Sequence, residues 1–263
     1  MSNQLTKTAG YPMPVTPVDH VEPVPRRIRG ELGGQVVLDT TRAVYLWEWP
    51  FYPQYQIPFE DVDPSVVVDE QRTHQLSRGK VATLGLRVGD EARPSAGRRY
   101  LESVVPELVD TVRFDWDALD AWYEEDELVF VHPRNPYVRV DAMRSSRHVR
   151  VEREGILLAA SASPVLVFET GLPTRYYFDR TAVNFENLVS SPTVSACPYK
   201  GKTTGYWSLP VGEDTIPDLA WTYDFPTRQL LPIAGLVAFY DEQVDTFIND
   251  VEQPRPETHF FKP

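Results

Sequence analysis

Short apolar runs separated by short polar links dominate the chain. "QVVLD" (35–39) precedes "AVYLWE" (43–48), and "GILLAA" (155–160) precedes "PVLVFE" (164–169). Each run has strand length, and the pairs read as hairpins with one buried face. "YQIPFEDV" (55–62) and "YYFDRTAV" (176–183) supply one more strand to each stretch. Gly34 and Gly155 stand at turn positions that tolerate positive φ. "DWDALDAWYEEDE" (115–127) fits a short helix with Phe114, Ala118 and Trp122 inward, and its counterpart "YDEQVDTFIND" (240–250) fits a strand equally well.

The recurrence of these runs is an internal repeat. At a constant shift of 121 without a gap, Arg29 falls on Arg150, Glu31 on Glu152, Gly34 on Gly155, Val44 on Val165, Glu48 on Glu169, Tyr55 on Tyr176 and Val62 on Val183. Further on the shift grows slightly, "VGDEARP" (88–94) meets "VGEDTIP" (211–217), and Phe114 meets Phe239. Shared register that includes charged positions marks a tandem duplication. Each copy has the size of one small β domain, about 100 residues. The expected division is an extended Pro-rich leader at 1–25, a first copy at 26–123, a linker at 124–147 and a second copy at 148–263.

Composition agrees with a mainly β, globular chain. Hydrophobic residues make up 42% and aromatics 12%, while 24 prolines disfavour long helices. The net charge of −12 opposes non-specific nucleic-acid binding, which needs a basic surface. With one cysteine and five scattered histidines (His20, His74, His132, His148, His259), no metal site and no cofactor are expected. The amino-terminal stretch has no apolar core of signal-peptide length and no apolar run reaches membrane length, so a soluble, cytoplasmic protein with no membrane partner is expected.

The second copy resembles a known family over nearly all its length. "HVRVEREGILLAASASPVLVFETGLPTRYYFDRTAV" (148–183), "CPYKGKTTGYWS" (197–208) and "GLVAFYDEQVDTFIND" (235–250) are similar to the bacterial and fungal domain of unknown function 427, loosely called nucleotidyltransferase-like. The first copy resembles it less closely: where the second has Cys197, Pro198, Tyr199 and Lys200, the first has Gln75, Leu76, Ser77 and Arg78, and only the glycine is kept, Gly79 beside Gly201. The linker resembles two-copy actinobacterial members. The resemblance implies two tandem β-tent-like domains, each with two small antiparallel sheets leaning over a pocket, related to zinc-binding families but without their cysteine pairs. It implies no established activity.

The candidate residues cluster in the second copy. Cys197 as a nucleophile needs a base or cation such as Lys200, against its alternative as a small buried thiol. Lys200 and Lys202 flank Gly201 without the strand–loop–helix setting of a phosphate loop, and a solvated turn accounts for them. Tyr206 and Trp207 take opposite faces of a strand, one of them inward. Glu169, like Glu48, ends an apolar run, and Arg150, like Arg29, is its natural partner; the pair serves either as a structural ion pair or as acid–base machinery. "DVD" (61–63) and "DWD" (115–117) have the spacing of a two-metal nucleotidyl-transfer site but not its setting.

Three readings stand. The first is a small-molecule binding protein whose aromatic-lined pocket is built from Arg150, Glu169, Tyr176, Tyr177, Tyr199, Lys200 and Tyr206. The second is a metal-free enzyme using Glu169, Cys197 or Lys200 in the same pocket. The third is a partner-binding scaffold. A monomer is favoured over a dimer, because a duplication reproduces a dimer within one chain.

Overall fold

The structure is a computed structural model that describes Tyr11 and residues 15–258. Part of the expected leader and His259 lie outside the described residues. The described residues divide into two compact units, Val15–Asn135 and 136–258, the latter joined by Tyr11.

Both units are built from strands, as the apolar runs require. In the first, a seven-stranded antiparallel sheet runs in the order Val21–Pro23, Val44–Leu46, Gln54–Pro58, Thr111–Phe114, Glu91–Ser103, Gly79–Val88, Val67–Leu76. A four-stranded sheet runs Glu127–Val129, Ala121–Glu124, Ile28–Leu32, Gln35–Thr40. The second unit repeats the plan. Its seven strands are Val140–Arg144, Val165–Glu169, Arg175–Phe178, Val237–Phe239, Asp214–Thr222, Gly205–Val211 and Val189–Ser191, and its four are Ile156–Ser161, Val149–Arg153, Asp245–Ile248 and Val251–Glu252. A two-stranded pair, Ala196–Cys197 with Gly201–Lys202, is added.

Strand pairing carries the repeat into three dimensions. Tyr45 pairs with Tyr55 and Leu166 with Tyr176; the isolated bridges Leu38 to Val62 and Ala159 to Val183 obey the same shift. Even the irregularity recurs, since the register slips after Gly30 in one copy and after Val151 in the other. The repeat also explains the flanks. Val21 pairs with Leu46 and Ala142 with Val167, so the strand Val21–Pro23 is the counterpart of Val140–Arg144.

The segment 115–127 is neither one helix nor one strand. A single 3-10 turn at Trp116–Ala118 leads into the strand Ala121–Glu124, which pairs with Ile28–Leu32. One turn cannot hold a helix without further hydrogen bonds, whereas the sheet edge supplies a full ladder. Gly34 and Gly155 take φ of +76° and +75°, the left-handed values their hairpins need.

In the second unit the large sheet buries both faces. Val149, Val151 and Leu158 of the small sheet pack with Phe178, Leu209, Leu219 and Phe239 on one face. On the other, Val165, Val167, Tyr177, Tyr206, Trp221 and Tyr223 are covered by Leu230 and Ile233 of the 3-10 segment Arg228–Ile233. The two-residue period of a strand therefore sends Tyr176 and Tyr177 to opposite sides.

Candidate functional site

Glu169 ends the strand Val165–Glu169, and the turn 198–200 brings Lys200 onto it. Lys200 Nζ donates to Glu169 Oε2, and the two side chains are only 9% and 8% exposed. Thr227 fixes the turn, donating its Oγ1 to the Tyr199 carbonyl at 2.6 Å and its amide to the Lys200 carbonyl at 3.0 Å. Burial pulls the Lys200 ammonium down, but the fields of Cys197, Glu169 and Tyr177 and the bond to Glu169 outweigh it and hold the ammonium above its ordinary value. The pair is a buried cation–carboxylate contact rather than the expected solvated turn.

Around this pair lies a set of buried phenols. Lys200 Nζ stands 4.0 Å from Cys197 Sγ. Burial pushes the Cys197 thiol up, against the opposing charge of Lys200. Burial likewise pushes Tyr177 up to about 12, against the opposing influence of the Lys200 charge and the Trp221 indole. Tyr206 Oη lies 2.7 Å from Ser195 Oγ and 3.4 Å from Tyr240 Oη. A neutral thiol beside an ammonium already committed to a carboxylate is poorly prepared for nucleophilic attack.

On the opposite face, Tyr176 lines a pocket of about 130 Å³ together with Asp241, Thr246, Thr174, Arg255 and Tyr11. Of the pocket's residues Asp241 is tied into a buried charge network whose arginine, Arg175, lies against Trp221 and Tyr240 on the Tyr177 face. Arg175 donates to Glu242 through both terminal nitrogens at 2.6 Å and to Asp241 Oδ2 at 3.1 Å. Thr246 Oγ1 donates to Asp241 Oδ1 at 2.9 Å. Burial pushes Asp241 up to about 6 despite Arg175 and Thr246. Burial pushes Glu242 the same way, but its bonds to Arg175 and Thr258 prevail and its pKa lies below the ordinary value. Burial pulls Arg175 down, and the two carboxylates hold it above its ordinary value.

The family model described as Domain of unknown function (DUF427) matches residues 20–125 and 141–250, once for each repeat. The chain belongs to this family. A search of the curated proteins finds no match to it.

Within this DUF427 chain the expected site residues fall into two groups. Glu169, Cys197, Lys200, Tyr177 and Tyr206 gather on one face of the large sheet, with Tyr199 in the turn above them. Tyr176 stands on the other. Arg150 joins neither: it pairs with Glu152 and lies over the Phe247 ring at 4.0 Å. The expected partnership of Arg150 with Glu169 is thus replaced by Arg150 with Glu152 and Lys200 with Glu169, because alternate residues of a strand facing the same way sit closer than residues of different sheets. Arg29 likewise pairs with Asp126 at 2.7 Å, not with Glu48.

Arg175, Asp241, Glu242 and Thr246 were not among the expected residues. The available signal was Arg175 itself, a cation inside the apolar strand "RYYF" that requires buried carboxylate partners. Among the described residues, no group of three or more histidine, cysteine or acidic side chains is placed to hold a metal ion. No described helix is long and apolar enough to cross a membrane.

Proposed function

We propose that the second copy binds a small molecule in the pocket at Tyr176, with Asp241 and Thr246 as its polar floor. The observation that carries this reading is a pocket of about 130 Å³ beside a carboxylate that is itself buried. A cavity near this size is large enough for a single ring, and a buried acceptor with unused lone pairs fixes the orientation of what enters. Asp241 accepts two protein hydrogen bonds where a carboxylate offers about four sites. The Lys200–Glu169 pair serves in this reading as an internal brace of the domain. Native mass spectrometry of freshly purified full chain, compared with its denatured mass, tests it. A small retained mass that disappears in Thr246→Trp is the expected result, and a bare mass in the unaltered protein counts against the reading.

A further inference from the structure

The two copies differ at the pocket, and the difference carries information about the ligand. Trp122 lies opposite Gly30 and Thr246 opposite Val151, so the repeat places Thr246 at the position of Trp122. Phe114 pairs with Gly97 and Phe239 with Ala220; the next amides, Asp115 and Tyr240, bond to the carbonyls of Ala96 and Leu219. One residue further, Asp241 stands at the position of Trp116. Tyr176 is the counterpart of Tyr55.

In the first copy these three positions form an aromatic stack. The Trp116 and Trp122 rings lie 5.2 Å apart at 19°, and Tyr55 lies 5.7 Å from Trp122. The Trp122 indole donates its N–H to the Trp116 carbonyl at 3.1 Å. The second copy keeps the tyrosine and exchanges both indoles for a carboxylate and a small hydroxyl. Space opens there, and the pocket described above occupies it.

The tyrosine changes its bonding in step. Tyr55 donates to Glu124 Oε1 at 2.7 Å, and Glu124 lies opposite Ile28. In the second copy the corresponding position, opposite Val149, holds Ile248, which accepts nothing. Tyr176, without that acceptor, lines the pocket beside Asp241.

We propose that the Tyr176 pocket takes a flat nitrogen heteroaromatic ring, stacked on Tyr176 and donating its N–H to Asp241, in the space that two indoles fill in the first copy. This inference rests on the small-molecule reading above and narrows it to a ligand class. An apolar ring alone leaves the Asp241 acceptor unmet, and an aliphatic ammonium leaves the Tyr176 face uncovered.

The test titrates the full chain with three probes, followed by saturation-transfer NMR. They are indole, its oxygen isostere benzofuran, and n-propylammonium. Indole is expected to bind, with benzofuran weaker by about ten-fold or more, the loss of one charge-assisted hydrogen bond. Thr246→Trp, which restores the first copy's residue, is expected to abolish indole binding. The nearly isosteric Asp241→Asn is expected to reduce indole to the level of benzofuran, and it keeps the test valid if Thr246→Trp does not fold. Equal binding of indole and benzofuran, or preference for propylammonium, overturns the ligand class. If no probe binds while native spectra still show a retained mass, the class fails and the binding reading survives. If no probe binds and the protein sprays bare, both fall.

Discussion

Lys200 meets Glu169 at the place where, in the first copy, Arg78 stands 3.9 Å from Glu48. The duplicated domain thus keeps a cation opposite the equivalent carboxylate although the turn that carries it has changed from "QLSRG" to "CPYKG". A feature present in both turns belongs to how the domain is held together. What distinguishes the second copy is its burial: Glu48 is 27% exposed and has a second partner in Arg113 at 3.3 Å, whereas Glu169 is 8% exposed.

Replacing Lys200 by Met leaves a buried carboxylate without its cation. The expected cost to the second unit is about 3–5 kcal/mol, the range for breaking one side of a buried pair. Lys200→Arg is expected to retain most of the stability, and Arg78→Met to cost less than Lys200→Met because Arg113 remains beside Glu48. Calorimetry that resolves the two units as separate transitions checks this. A Lys200→Met protein within about 1 kcal/mol of the parent would falsify the brace, since surface pairs contribute no more than that.

Cys197 is expected to react slowly. Its thiol is pushed up by burial, with Lys200 the largest opposing influence, so Lys200→Met raises it further. Iodoacetamide labelling followed against pH should show a midpoint above the ordinary cysteine value of about 8.5, moving upward in Lys200→Met. A midpoint below that value reinstates Cys197 as an activated nucleophile.

The glycine shared by the two turns is held for different reasons. Gly79 has φ of +149°, and a Cβ there would meet the Glu102 carbonyl oxygen at 2.0 Å; Gly201 has φ of +103° and no atom nearer than 3.5 Å. Gly79→Ala is expected to cost about 3 kcal/mol or more, through clash and backbone strain together, and Gly201→Ala about 1–3 kcal/mol through strain alone. Equal losses in urea denaturation would contradict the assignment of a steric role to Gly79.

Much of this architecture is legible in the chain because apolar alternation and a constant shift both survive in the sequence. The strands themselves, and the shift that carries Tyr45 opposite Tyr55 onto Leu166 opposite Tyr176, follow from them. The expected hairpins do not form: Gln35–Thr40 pairs with Ile28–Leu32 in the small sheet while Val44–Leu46 joins Gln54–Pro58 in the large one, and Ile156–Ser161 and Val165–Glu169 part in the same way, because the link between each pair carries the chain from one sheet to the other. The pocket does not. The alignment of Phe114 with Phe239 already sets Trp116 on Asp241, but the shift changes again before Trp122, so its equivalence with Thr246 emerges only from strand register. The partner of Glu169 was hidden for a related reason. Lys200 is 31 residues away on a turn whose path depends on Thr227, and nothing local in "PYKGK" encodes that anchor.

The pH response of the second unit turns on Asp241. Its folded value, pushed up to about 6, lies above the ordinary 3.8, so the folded chain holds this proton more tightly than the unfolded one. The stabilising contribution is complete below the unfolded value, declines as pH rises between about 4 and 6, and above that range the fold carries the cost of a buried charge. Glu242 runs the other way: its folded value is lowered, so its contribution is present above the ordinary carboxylate value and is lost as pH falls. Asp241→Asn removes the first dependence and leaves the second. The stability of Asp241→Asn relative to the parent is therefore expected to rise by on the order of 2 kcal/mol from about pH 4 to pH 6 and then level off. Indole, which does not titrate there, should bind the parent more tightly over the same interval as the acceptor becomes charged. A stability difference that stays flat across the interval places Asp241 in the ordinary carboxylate range and removes burial as the force acting on it.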